Sequence, residues 1–138
     1  TRVDTVEFVT IATTGNAQDF GDLTTATSGG AALSSNTRLL YGGGDAPSYT
    51  NTIEYFTIAT TGDATNFGDL TVARSSVYGG TSNNIRGVFV AGFKSPGTNI
   101  NTIDHVTIAS VGNAADFGDI VYRTRGATAT SDSHGGLS

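Results

Sequence analysis

The chain of 138 residues has no cysteine, no methionine and no tryptophan, and it has only two prolines. The absence of cysteine excludes disulfide bonds, zinc–thiolate sites and thiol catalysis. Nineteen glycines beside so few prolines indicate many tight turns and not a disordered linker. Long aliphatic-and-charged stretches with helical spacing are also missing, and threonine, serine, valine, isoleucine and aromatic residues favour short strands.

Basic residues are scarce as well, with seven against twelve acidic ones and a formal net charge of −5. We expect no nucleic-acid partner, because phosphate binding needs a clustered cationic surface. We expect no membrane insertion, because no apolar segment is long enough to span a bilayer. The sequence begins at Thr1 and shows no signal-peptide pattern, so we expect a trimmed, mature or fragmentary chain.

What the sequence does contain is one fourteen-residue phrase in three copies. It reads TIATTGNAQDFGDL at 10–23, TIATTGDATNFGDL at 57–70 and TIASVGNAADFGDI at 107–120. The similarity extends beyond the phrase, at spacings of 47 and then 50 residues. We therefore assign 1–138 to a single repeat domain, with repeat 1 at about 5–51, repeat 2 at about 52–101 and an incomplete repeat 3 at about 102–138.

One period contains four strand signals, at 52–60, 66–72, 75–80 and 86–92. Gly62 marks the turn between the first two, since glycine readily takes a positive φ. Four short strands in about fifty residues, repeated, are typical of a β-propeller blade. We predict an all-β fold of about three four-stranded antiparallel repeats. Another repeated all-β packing is the alternative, and the absence of a 3.6-residue period excludes a helical solenoid.

The segments RLLYGGG (38–44) and NTIEYFTIATTGDATNFGDLTVARSSVYGG (51–80) resemble a kelch repeat. The matching positions are Gly42, Gly43 and Gly44 for the glycine pair, Tyr55 for the strand aromatic, Phe67 for the usual tryptophan, and Arg74 before the next blade. The chain departs from that pattern where phenylalanine replaces tryptophan in all three copies. It departs again where Thr27 and Thr124 stand in the place of Arg74.

The resemblance implies kelch-like blades around a central channel, usually six or seven of them. Counted on this chain, it gives two strands from the opening copy, four in each of the next two blades, and one left over. Three repeats do not close such a ring, so strand edges stay open and we expect homo-oligomerisation. Two chains would make a six-bladed ring, and many would make a filament. The phrase is also similar to repeats in virion and tail-fibre proteins of phages that infect cyanobacteria.

Each copy of the phrase ends in Phe-Gly-Asp, and two interpretations of this recurrence are open. The acidic residues could bind Ca²⁺, which takes six to eight oxygen ligands. The structural interpretation places phenylalanine in the core and uses aspartate to fix a turn, and recurrence in every copy favours it. The Ca²⁺ candidates are Asp19, Asp22, Asn66, Asp69, Asp116 and Asp119. The predicted structural core positions are Phe20, Phe67, Phe117, Ile11, Ile58 and Ile108.

Other residues give weaker signals of function. His105 and His134 occupy different repeat positions, which does not favour a metal site. No nucleophile elbow or phosphate loop is present. Aromatic faces for glycan binding would come from Tyr41, Tyr49, Tyr78 and Tyr122. We expect the arginines at 38, 74, 86 and 123 to pair with Glu7, Glu54 and Asp104.

We therefore predict a non-catalytic structural protein that self-assembles in an extracellular or virion fibre assembly, with no cofactor. The alternative is a lectin-like propeller that binds surface glycans. An enzyme is not expected, because no site beyond the repeat pattern is visible in the sequence.

Overall fold

Ten β-strands form the regular structure of residues 1–133, which are the residues that the computed structural model describes. Sheet I contains β1 (Val3–Phe8) and β2 (Gln18–Thr27). Sheet II contains β3 (Ala31–Ser34), β4 (Arg38–Gly42), β5 (Thr52–Thr57) and β6 (Thr65–Asp69). Sheet III contains β7 (Gly79–Ser82), β8 (Arg86–Lys94), β9 (Thr98–Thr107) and β10 (Ala115–Thr124).

Every sheet is antiparallel, and its strands pair in the order in which the chain makes them. The chain is thus all-β over the described residues and forms no closed barrel. The predicted count of two, four and four strands is confirmed. The leftover strand was predicted at the carboxyl end, where residues 134–138 lie outside the described part of the chain.

All four predicted strand ranges differ from the observed ones. The range 66–72 is observed as Thr65–Asp69, and 86–92 extends to Lys94. The predicted strand 52–60 stops at Thr57, where a turn is closed by the amide of Thr60 donating to the Thr57 carbonyl at 3.3 Å. The predicted strand 75–80 lies instead at Gly79–Ser82, because the residues before it bond to other segments. Ser75 exchanges two backbone hydrogen bonds with Phe93, and the amide of Val77 donates to the carbonyl of Gly29.

The hydrophobic core lies between neighbouring sheets. One buried cluster joins sheets II and III and includes Leu40, Ile53, Phe67, Phe89 and Val106. A smaller cluster between sheets I and II contains Leu23, Phe56 and Ala64, with the half-buried Phe20 packed against it. Because each sheet buries its apolar face on the next one, the sheets stabilise one another in sequence along the chain.

The predicted core positions do not all reach this core. Phe67 and Ile108 are buried, whereas Phe117 is 53% exposed and Ile58 is 42% exposed. Ile11, at 98% exposed, is an outer residue of this chain and not a core residue. A repeated position is buried only where a neighbouring sheet covers it. Ile11 lies in the turn after β1 of sheet I, and Phe117 lies in β10 of sheet III.

Candidate functional site: the contacts between neighbouring sheets

The repeated phrase forms the contact between one sheet and the next. Its first copy contributes β2 of sheet I, and its second copy contributes the loop that follows β5 of sheet II. The amide of Gly62 donates to the Phe20 carbonyl at 2.8 Å, and the amide of Ala64 donates to the Asp22 carbonyl at 2.8 Å. In return, the Asp22 amide donates to Oδ1 of Asp63 at 3.1 Å. We call this set of three hydrogen bonds the clasp.

The same clasp joins sheets II and III, one repeat further along. The amide of Gly112 donates to the Phe67 carbonyl at 2.8 Å, and the amide of Ala114 donates to the Asp69 carbonyl at 2.8 Å. The Asp69 amide donates to Oδ1 of Asn113 at 3.1 Å. Two identical sets of bonds in one chain show that the phrase specifies how its sheets are joined.

The glycine of Phe-Gly-Asp is required by the closeness of this contact. A Cβ atom built on Gly21 would overlap the backbone carbonyl of Gly62, and one built on Gly68 would overlap that of Gly112. Both glycines also take positive φ angles, of 150° and 152°. A Cβ built on Gly118, in the third copy, would meet no atom of residues 1–133 within 4 Å. The close backbone contact at this glycine is therefore formed at the first two copies of the phrase, and no described residue forms it at the third.

A threonine–carboxylate contact accompanies each clasp. The backbone amide and the hydroxyl of Thr24 both donate to Oε1 of Glu54, the amide at 3.2 Å. The backbone amide of Thr71 donates to Oδ2 of Asp104 at 3.0 Å, and its hydroxyl donates to Oδ1 at 2.6 Å. Hydrogen bonds to an ionised acceptor are stronger than neutral ones, so these contacts reinforce the junction.

Among the residues that the structure describes, a buried ion pair occurs in the second junction and not in the first. Nη2 of Arg74 lies 3.1 Å from Oδ2 of Asp104, both side chains are fully buried, and Nη2 also donates to the Phe89 carbonyl at 3.2 Å. Burial lowers the pKa of Arg74, and the charge and hydrogen bond of Asp104 oppose that shift. The predicted pairing of Arg74 with a carboxylate is thus confirmed for Asp104.

The other arginines contact different groups. Arg38 donates through Nη1 to the Ile108 carbonyl at 2.9 Å and lies 4.5 Å from the centre of the Tyr55 ring. The guanidinium of Arg86 lies 6.0 Å from the centre of the Phe117 ring. Within residues 1–133 no ion pair is formed by Arg38, Arg86 or Arg123, so the predicted pairing with a carboxylate is wrong for these three arginines.

Half of a clasp lies unused at each end of the series of sheets. The loop Gly15–Asn16–Ala17 corresponds to Gly62–Asp63–Ala64, and its three residues are exposed. No hydrogen bond to Asn16, or to the amides of Gly15 and Ala17, occurs within residues 1–133. At the opposite end, Phe117 and Asp119 on β10 correspond to Phe67 and Asp69, and no described segment covers them.

The candidate Ca²⁺ ligands are not brought together. Across residues 1–133 no group of three or more histidine, aspartate or glutamate side chains is arranged to hold a metal ion. The acidic residues of the phrase instead lie along successive sheets: Asp19 and Asp22 in β2, Asn66 and Asp69 in β6, Asp116 and Asp119 in β10. Asp116 Oδ1 accepts a hydrogen bond from the Gly118 amide at 3.2 Å, which is a local turn contact.

The predicted aromatic residues are dispersed over the molecule. Tyr41 and Tyr49 line one cleft, whereas Tyr78 and Tyr122 are 57% and 81% exposed and do not line it. His105 packs against the Phe117 ring, with the two ring centres 5.8 Å apart. His134 lies outside the described residues.

Sequence reasoning missed the partner of the Phe-Gly-Asp motif. The acceptors Asp63 and Asn113 follow a glycine in the first half of the phrase, and Asn16 stands at the same place in the first copy. An asparagine or aspartate at this place in all three copies was the available signal.

Comparisons with known proteins add no family to this picture. No protein-family model matches the chain, and no curated protein matches it. Among the described residues, none belongs to a helix with the length and apolar character needed to cross a membrane. The contacts themselves are therefore the basis for a functional assignment.

Proposed function

We propose that the protein is a non-catalytic structural module, of β-propeller type, whose copies join head to tail through the clasp. In one such contact the Gly15–Asn16–Ala17 loop of one copy lies against β10 of the next. Its two amides donate to the carbonyls of Phe117 and Asp119, and Asn16 accepts from the Asp119 amide. The observation that carries the proposal is the repetition of the clasp within the chain, with one complementary half left at each end.

Exposed apolar surface at the same end supports this contact. Phe117, Val121 and Tyr122 of β10 are 53%, 88% and 81% exposed. The equivalent of Phe117 in sheet II is Phe67, which is 3% exposed because sheet III covers it. The copy that docks there would bury Phe117 as sheet III buries Phe67, and burial of apolar surface favours association.

A second open edge lies on β1. In sheets II and III the corresponding strands, β5 and β9, each pair with a strand on both sides. Among the described residues β1 pairs only with β2, so one side of its backbone has no strand partner. Such an edge is a template for strand addition, which gives the assembly a second point of contact.

Fewer observations support two parts of the proposal, the propeller geometry and the biological setting. Four-stranded antiparallel meanders joined face to face are what blades of a propeller require, and sheets II and III have that form. The setting in an extracellular or virion fibre assembly rests on the resemblance of the repeated phrase. Binding of surface glycans has weaker support, because the tyrosines that would stack on sugars do not share one groove.

The proposal is tested by the mass of the purified chain in solution, measured by analytical ultracentrifugation over micromolar concentrations. We expect closed pairs of chains or longer polymers. A chain that stays a folded monomer throughout this range overturns the proposal. Electron microscopy of the same samples distinguishes a ring from a filament.

Two substitutions on β10 test the contact itself. Gly118→Ala adds a Cβ where the loop of the next copy must approach, and we expect it to abolish assembly. Because Gly118 has a φ of 141°, at which a side chain is strained, circular dichroism of the variant must show that the monomer stays folded. Val121→Thr restores the hydroxyl found at Thr24 and Thr71, and Glu7 of the next copy stands where Glu54 accepts. Since a hydrogen bond contributes about 0.5–1.5 kcal/mol, this variant should associate about two- to tenfold more tightly. Val121→Ala, which adds no hydroxyl, is the matched control and should not associate more tightly than the wild type. Assembly of Gly118→Ala like the wild type contradicts the proposed contact.

A further inference from the structure

A cleft of about 350 Å³ lies between sheets I and II, at a place that is filled in the junction of sheets II and III. The residues that line it include Thr24, Thr27, Tyr41 and Glu54. Most of its lining side chains carry hydroxyl groups, and one of them carries a carboxylate. The cleft is thus a polar site at a junction that the chain otherwise repeats closely.

In the second junction, the side chain of Arg74 occupies the corresponding space. Its Nη2 atom contacts two acceptors, Oδ2 of Asp104 at 3.1 Å and the carbonyl oxygen of Phe89 at 3.2 Å. The arginine reaches this position from the segment that follows Thr71, which is the residue that binds the same carboxylate.

Repeat positions identify the equivalents of these groups in the first junction. Thr27 follows Thr24 by three residues, as Arg74 follows Thr71. Tyr41 pairs with Glu54 across β4 and β5, as Phe89 pairs with Asp104 across β8 and β9. The first junction therefore has the two acceptors that hold Arg74 in the second, and a short threonine in place of the arginine.

The polar groups of the cleft have bonding capacity left. Thr27 is 8% exposed, and its buried Oγ1 atom forms no hydrogen bond of normal geometry among the described residues, although its contact with the Tyr41 side chain is close enough to oppose the rise in the pKa of Tyr41. Glu54 is 6% exposed, and Thr24 directs both of its hydrogen bonds to Oε1. Oε2 of Glu54 accepts none of the hydrogen bonds formed by the described residues. A largely buried carboxylate that lines a polar cleft, with one oxygen that no described residue contacts, is a site for a cationic ligand that carries N–H donors.

We propose that this cleft binds a guanidinium group from outside the chain, carried by a small guanidinium compound or by an arginine side chain of another protein. The group takes the place that the Arg74 guanidinium has in the second junction, donating to Oε2 of Glu54 and to the carbonyl oxygen of Tyr41. In the second junction only Nη2 of Arg74 finds acceptors, and Nε and Nη1 are buried without hydrogen-bond partners among the described residues. A guanidinium still suits such a site better than an ammonium, because it is planar and more weakly hydrated. This site is independent of the head-to-tail contact.

Binding is tested by titrating methylguanidinium into the purified chain and following the methyl resonances of the threonines by NMR. We expect saturable shifts at Thr24 and Thr27. Methylammonium, which carries the same charge, should bind at least tenfold more weakly. A Gly-Gly-Arg-Gly-Gly peptide is titrated in parallel: binding of the peptide indicates an arginine side chain as the natural ligand, and binding of methylguanidinium alone indicates a small solute.

Variants of the cleft separate this site from general charge effects. Glu54→Gln should weaken methylguanidinium binding at least tenfold, whereas Asp4→Asn, at an exposed position on β1, should leave it unchanged. Thr27→Arg should abolish binding, because the new side chain occupies the cleft from within, and it should raise the melting temperature. Thr27→Ser keeps the hydroxyl and should bind within about twofold of the wild type. The proposal is overturned if methylguanidinium does not saturate, if methylammonium binds equally well, or if Glu54→Gln binds as the wild type does.

Discussion

The buried pair of Arg74 and Asp104 gives a prediction whose size follows from the groups around each partner. In Asp104→Ala, Arg74 keeps one acceptor, the Phe89 carbonyl, and its charge stays fully buried. Removing one partner of a buried ion pair costs about 3–5 kcal/mol. For a chain of this length, that loss lowers the melting temperature by roughly 10–20 °C.

The opposite substitution should be milder. In Arg74→Met, the Asp104 carboxylate still accepts two hydrogen bonds from Thr71, which is exposed and lies at the edge of the core. The unpaired carboxylate of Arg74→Met therefore keeps more hydrogen bonds than the unpaired guanidinium of Asp104→Ala does. We expect a loss smaller by about 1.5–3 kcal/mol, the contribution of hydrogen bonds to a charged group. The double variant should be more stable than the sum of the single losses predicts, by about 2 kcal/mol, since it leaves no unpaired charge.

Urea denaturation of the four proteins, under conditions where each is monomeric, measures these free energies of unfolding. Glu54→Ala is the matched control, because Glu54 makes the same threonine contacts but faces no arginine. It should cost less than Asp104→Ala. Equal losses for Glu54→Ala and Asp104→Ala, or additive losses in the double variant, would refute the reasoning.

Two further predictions concern single groups. Gly68→Ala should destabilise the chain by about 1–3 kcal/mol more than Gly118→Ala does, because of these two positions only Gly68 would place its added Cβ against a backbone carbonyl. Thermal unfolding of both variants measures the difference. Burial raises the pKa of Tyr41 from its ordinary value of 10.0, so the folded chain holds this proton to a higher pH than the unfolded chain does. The contribution of the Tyr41 proton to the free energy of unfolding is complete below about pH 10 and is lost as the pH rises through the pKa of the folded chain. Tyr41→Phe should remove this contribution to the loss of stability at alkaline pH, which urea denaturation at a series of pH values measures.

Much of the fold follows from local sequence patterns. Composition and short alternating segments predicted the all-β class, and the period of about fifty residues predicted the two, four and four strands. The fold class and the strand count depend on residues that are close in sequence, so they can be read from a single sequence. Strand ends were less accurate, because the segment at 75–78 forms its backbone hydrogen bonds with Gly29 and Phe93, which are distant in sequence.

The site was less predictable, because its elements belong to two different sheets. The recurrence of Phe-Gly-Asp was visible in the sequence, but its partner loop was identified only when Gly62 and Gly112 were seen against the preceding copies. The cleft at Thr27 illustrates the same limit. The sequence shows a threonine in the place of Arg74, and only the three-dimensional arrangement shows that the replaced side chain leaves two acceptors facing an open space.

The burial of one repeated isoleucine provides a direct test of what lies beside each sheet. Ile108 is 1% exposed, and Arg38 of the four-stranded sheet II bonds to its carbonyl. Ile58 follows β5, whose neighbour is the two-stranded sheet I, and is 42% exposed. Within residues 1–133 no sheet lies beside sheet I at Ile11, which is 98% exposed. Exposure at this position therefore falls as the preceding sheet becomes more complete.

If copies join through the clasp, a neighbouring copy supplies the sheet that Ile11 lacks. Hydroxyl-radical footprinting of monomeric and assembled samples should then show protection of Ile11 and Phe117 on assembly, with Ile108 unchanged as the internal control. Gly118→Ala, compared at the same concentration, should keep both side chains reactive. Assemblies in which Ile11 stays as reactive as in the monomer would mean that the copies meet through another surface, such as the open edge of β1.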